Sequence, residues 1–175
     1  MTADVTGGSV IGGGVLVPRE PALRVERRVI ARWMIGALLR WGLVFAVLAG
    51  VAAFWNPSRV WLAAPMLVIA ALLLVTCLIE PFWRYHVHRW EIGDNATYTV
   101  TGWLRVEWRA SPISRIQTVD AIRGPIDQML GLSTLRITTA SSYGAVNVVG
   151  LDEKTAREAA ERLASLAEVT PGDAT

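Results

Sequence analysis

His86 and His88 are the two histidines of the chain, and they stand two residues apart. On a strand that spacing aims both rings at one face, where a pair of imidazoles could chelate a metal. No thiolate can join them. Cys77 is the sole cysteine and lies inside an apolar run, so neither an intramolecular disulfide nor a cysteine zinc site is possible. The nearest carboxylates in sequence are Glu91 and Asp94, which border a turn signal. Beside Arg84 and Arg89 the plainer reading is a cationic strand, and no metal ligand is assigned. Nucleophilic catalysis needs a Ser, Thr or Cys next to a base that a third group orients. Ser133, Ser141 and Ser142 have no such surroundings, and no Gly-x-Ser-x-Gly occurs. Gly12-Gly13-Gly14 lacks the Lys-Ser/Thr that completes a phosphate loop. Glu107, Asp120 and Asp127, the carboxylates left for acid–base work, fall where strands and turns are expected. No catalytic or cofactor-binding residue is assigned, no cofactor is implied, and the chain is not expected to be an enzyme.

The cations offer a different chemistry. Arg84, Arg89, Arg105 and Arg109 follow closely on an apolar segment, and each arginine held near an anionic leaflet contributes about 1 kcal/mol to docking. They are the candidate lipid contacts. A nucleic-acid partner is not expected: the net charge is only +2, and Lys154 is the single lysine among otherwise arginine cations. That bias fits genome composition better than a nucleic-acid-binding tail.

The elements that must position these residues start with a membrane hairpin. Between Arg40 and Glu80 the only charge is Arg59. Helices rise about 1.5 Å per residue, so about 20 apolar residues match a hydrocarbon layer of about 30 Å. Val60 to Ile79 fits directly. The run from Trp41 to Ser58 fits once extended back to Gly36, with Arg40 snorkelling to the headgroups. Asn56-Pro57-Ser58 between them is a turn, and Trp41, Trp55, Trp61, Phe82 and Trp83 bracket the spans as interfacial aromatics do. Arg24, Arg27, Arg28, Arg32 and Arg40 precede the hairpin and Arg84 and Arg89 follow it, which predicts both termini in the cytoplasm. With no ionisable group at mid-membrane, transport is not expected.

Beyond Pro81, taken as the end of the second span, the sequence reads as six or seven short antiparallel strands. Gly93-Asp94-Asn95 marks a first turn inside His86–Thr101, and Gly102 a second before the alternation of Trp103–Trp108. Gln117–Ile122, Leu135–Thr139 and Ala145–Val149 are further strands. Gly124–Gly131 is a turn and short helix opened by Pro125. Asp152 caps a closing helix whose stripe is Ala156, Ala159, Ala160, Leu163, Leu166 and Ala167. Trp90, Trp103 and Trp108 are expected chiefly in the core.

These residues resemble a known family. Ile113-Ser114-Arg115-Ile116-Gln117-Thr118-Val119-Asp120, then Gly124-Pro125-Ile126, Leu130-Gly131-Leu132 and Leu135–Ala140 look like the signature of the bacterial pleckstrin-homology-like (PH-like) membrane proteins of YdbS type. Gly150-Leu151-Asp152 matches the opening of that family's closing helix. Ser141-Ser142-Tyr143-Gly144 departs from the family's loop glycine. The resemblance implies a membrane-anchored α+β protein: a two-helix transmembrane hairpin, then a PH-like small β-barrel or bent antiparallel sheet capped by a C-terminal helix. Five regions follow: a flexible tail over 1–19, a basic juxtamembrane helix over 20–35, the hairpin over 36–82 (spans 36–55 and 60–80), a cytoplasmic PH-like domain over 83–168, and a disordered end over 169–175. Gly124, Pro125, Gly131 and Leu132 have architectural reasons to be what they are. Arg115, Gln117 and Asp120 are either a local polar network or a recognition surface. The expected function is a non-enzymatic interaction module in the cell membrane, in envelope assembly or stress response. Its expected partners are membrane lipid and either a second copy or another PH-like membrane protein; the alternative is an anionic headgroup binder.

Overall fold

The computed structural model describes residues 20–55, 59–140 and 144–169. The expected tail over 1–19, the Asn56-Pro57-Ser58 turn, Ser141-Ser142-Tyr143 and residues 170–175 lie outside them. Two long apolar helices come first. One runs over 26 residues, through α1 (Val29–Ala37), a π-helical turn at Leu38–Gly42, and α2 (Leu43–Phe54). The other joins α3 (Arg59–Leu78) to α4 (Glu80–Val87) across a turn at Ile79. Only 6% and 0% of their most apolar stretches are buried. A core helix of a soluble domain would be covered, whereas these two are uncovered and are long and apolar enough to cross a membrane.

Pro81 does not end the second helical path. It stands at the start of α4, where its missing N–H costs nothing, and helix continues to Val87. His86 is therefore on a helix and not on a strand with His88. The helix expected from Glu20 likewise begins only at Val29. Arg27-Arg28 before it form a turn, and further back β1 (Leu23–Arg24) pairs antiparallel with β2 (Arg89–Ile92).

Among the described residues, seven strands form two sheets. The first has the order β1-β2-β3-β4, with β3 at Ala96–Gly102 and β4 at Val106–Pro112; the second has β5-β6-β7, at Ile116–Ile122, Leu132–Thr139 and Val146–Asp152. No hydrogen-bonded ladder joins the sheets among the described residues, so the expected small barrel is an open, bent pair. The turns obey their glycines. Gly102 adopts φ +136°, and a Cβ there would lie 1.9 Å from the Arg105 carbonyl oxygen. Helix α5 (Pro125–Leu130) starts at Gly124 and ends on left-handed Gly131. The Asp152 carboxylate accepts the Lys154 N–H at 3.1 Å and opens α6 (Glu153–Val169).

One core serves both sheets. Leu132, Leu135, Ile137, Val146, Val148 and Leu151 meet Ala156, Ala159 and Leu163 of α6, as the helical stripe predicts. Val25, Val29, Trp33 and Trp90 complete it. The segment before the first span thus belongs to the sheet domain by packing.

Candidate functional site

Two features organise the junction between helices and sheets. The first is a β-bulge at Gly150: Ser133 pairs with Leu151 and Thr134 with Val149, leaving Gly150 unpaired in the ladder. Its carbonyl instead accepts the Glu26 N–H at 2.8 Å. Val29 lies directly above, so close that a Cβ on Gly150 would meet its Cγ2 at 2.3 Å. The second feature is Asp127, buried at the start of α5. One carboxylate oxygen accepts the Gly124 N–H at 3.2 Å, and the group pairs with the Arg32 guanidinium from α1. Arg28 adds a hydrogen bond to the Leu130 carbonyl and an ion pair with Asp152, each at 3.0 Å. Arg28 and Arg32 thus clamp the start of the first long helix to α5 and β7.

Across the junction, Arg84 stacks 4.5 Å from the centre of the Trp33 ring and pairs with Glu80 at 3.1 Å. The His88 ring meets the edge of Trp33 at 5.9 Å. His88 Nε2, Trp90 Nε1 and Thr97 Oγ1 are buried without a hydrogen-bond partner among the described residues. Burial, and then the charge of Arg84, push the His88 pKa from 6.5 down to about 4. Between those values the unfolded chain holds a proton that the folded chain lacks. Stability is therefore complete above pH 6.5 and falls by about 3 kcal/mol as the pH drops to 4, then levels off. Denaturant unfolding at pH 7 and pH 4.5 should show this loss in the parent and a much smaller one in His88→Phe. Equal losses in both would refute it.

The four candidate lipid arginines do not form one free patch. Arg84 has Glu80, Arg89 faces Glu20 at 3.9 Å, and Arg105 and Arg109 share Glu107 at 3.7 and 3.0 Å. Arg105 is nonetheless almost fully exposed. The tryptophans divide: Trp90 is buried, Trp103 half-buried, and Trp108 exposed. A groove of about 240 Å³ beside Trp108 is lined by His86, Val87, Arg89, Val100 and Val106.

Of the motif residues, Gly124, Pro125, Gly131 and Leu132 shape α5 and the core. Gln117 is the second bulge, between Ile116 and Thr118. Arg115 accepts the Ala140 N–H through its backbone carbonyl while its side chain is exposed. Asp120 stands opposite Arg136, which stands opposite Asn147, in an exposed row across the second sheet. The residues missed by the sequence reading are Arg28, Arg32, Trp33 and the role of Gly150. Only Asp127 carried a local signal, three residues after Gly124 where a capping carboxylate belongs.

The comparisons agree with this architecture. The Bacterial PH domain family matches residues 28–167, a stretch that includes the hairpin. The UPF0699 transmembrane protein YdbS of Bacillus subtilis (strain 168) is 25% identical over 132 residues, covering 75% of this chain and 82% of that protein. No solved structure matches at a significant level. A family match that begins at Arg28 and runs to the end of the α6 stripe takes in both apolar helices, the Arg32–Asp127 pair and Gly150, and the chain belongs to the bacterial PH domain family as a YdbS-like membrane protein.

Proposed function

We propose that the chain is a non-enzymatic interaction module, held at the cytoplasmic face of the cell membrane by a two-pass hairpin. Its partner is a second copy or another PH-like membrane protein, and its setting is envelope assembly or stress response. The topology is supported by packing as well as by arginines. Leu23 pairs with Trp90, and Val25, Val29 and Trp33 share a core with residues that follow the hairpin. Packing of the segments on either side of the apolar helices supports one side of the bilayer for both, and with it an even number of crossings. The excess of arginine there favours the cytoplasmic side.

The observation that carries the interaction reading is strand β5. It is the outer strand of its sheet, and Gln117, Thr118, Asp120, Ala121 and Ile122 are all exposed. An outer strand with unpaired backbone groups accepts an added strand from a partner. Photo-crosslinkers at Thr118 and Ile122 of the full chain in native membranes should capture a membrane protein or a second copy. Ala121→Arg, which puts bulk and charge on the exposed strand, should reduce that capture several-fold. A chain that stays monomeric and uncrosslinked in mild detergent and in membranes argues decisively against this function. Headgroup recognition by Arg84, Arg89, Arg105 and Arg109 is the weaker reading, because all four already face carboxylates.

A further inference from the structure

The β3–β4 hairpin outruns its neighbour at the end where α4 arrives. Arg89, the first residue of β2, stands opposite Val100, while the β3–β4 ladder continues to Gly102 opposite Val106. The tip, Trp103-Leu104-Arg105, therefore projects past the start of β2. At about 3.4 Å per residue it advances roughly 10 Å beyond the level of Arg89. Helix α4 spans eight residues, about 12 Å, between the end of the second apolar helix and that same level. The advance of the tip and the length of α4 are thus of similar size.

The groove brings the last turn of α4 beside β4. His86 and Val87 of α4 line it with Val106 and Trp108 of β4. One helical turn nearer the membrane, at i−4, are Phe82 and Trp83, 48% and 57% exposed. They continue the uncovered surface of Leu78 and Ile79 onto the groove. Leu104 at the tip is 86% exposed, and Arg105 beside it is 88% exposed, with Glu107 no nearer than 3.7 Å. A leucine flanked by tryptophan and arginine on a tight turn has the chemistry of the interfacial layer, apolar below and cationic above.

We propose that the β3–β4 hairpin is a second membrane contact, with Leu104 inserted into the interfacial layer of the leaflet that α4 leaves. The occupant of the groove is the lipid surface itself, continuous with the lipid around the apolar helices. The sheet domain is then held at two points rather than swinging on one helix. This contact is separate from β5, which belongs to the other sheet, so either can fail alone.

The test uses the full chain reconstituted in phosphatidylcholine–phosphatidylglycerol vesicles. An environment-sensitive fluorophore is placed by Leu104→Cys in a Cys77→Ala background. The control is Asp94→Cys, in the exposed turn at the opposite end of β3. Emission from position 104 should be blue-shifted, and nitroxide on the upper acyl chain should quench it several-fold more than emission from position 94. Equal, water-like emission at both positions overturns the proposal. So does a blue shift at 104 that tracks protein density and ignores the lipid nitroxide, because a second copy would then cover the tip.

Discussion

Arg32→Ala is expected to destabilise the folded chain by about 3–5 kcal/mol, a large share of a domain's total stability. The reason is what it leaves behind. Asp127 has only 5% of its side chain exposed, and its charge is matched by Arg32 and by the Gly124 N–H. Without the guanidinium, a buried carboxylate keeps a single backbone donor. Asp127→Ala removes the buried charge together with the α5 cap, whose loss alone costs about 1 kcal/mol. The double variant should therefore be less destabilised than the two single losses added, by about 1–3 kcal/mol. Denaturant unfolding of the detergent-solubilised chain, followed by tryptophan fluorescence, gives all four corners of the cycle. Strict additivity would show that the pair does not couple α1 to α5. Arg32→Lys is expected to fall between, since an ammonium lacks the guanidinium fork.

The second large effect lies at Gly150. Its φ of +86° disfavours any side chain, and an added Cβ would overlap Val29 at 2.3 Å. Left-handed strain of about 1–2 kcal/mol and overpacking of about 1–3 kcal/mol act together in Gly150→Ala. Only the second is relieved by shrinking the neighbour. The Val29 Cβ would itself lie 2.6 Å from the added carbon, so relief needs Val29→Gly, which in the Gly150→Ala background should recover part of the loss although Val29→Gly alone is destabilising because Val29 is fully buried. If the second substitution makes matters worse by its full individual cost, Val29 is not what Gly150 exists to admit.

Most elements were visible in the sequence because each has a local cause. The strand alternation, the glycine turns, the capped α6 and the two uncharged runs are written in neighbouring residues, and the structure places them within a few positions. Glu20–Met34 was different. Its basic, helix-compatible composition suggested a juxtamembrane helix, but Val25 and Trp33 are held by residues far along the chain, and β1 exists only because β2 pairs with it. Pro81 misled for a related reason: proline ends one helix and begins another with equal ease, and α4 follows at once. The four arginines proposed for lipid were chosen by position alone. Their carboxylates, Glu20, Glu80 and Glu107, are partners set by folding, although three of the pairings stand at i,i+4 or i,i+2 spacing. Asp120 shows the remaining gap, since its opposite number Arg136 is fixed by a strand register that a bulge at Gln117 sets.

The pairing of Leu23 with Trp90 also dictates an order of assembly. The strand made first on the ribosome has no partner until the whole hairpin has been synthesised and β2 has emerged. Val25, Val29 and Trp33 wait longer, for β6, β7 and α6 to supply the rest of their core. Throughout that interval the early segment carries unburied apolar side chains, the condition under which chains misassociate. Integration of the two apolar helices into lipid brings its ends together and shortens the search. Membrane insertion is, in this fold, the step that makes the sheet domain able to close.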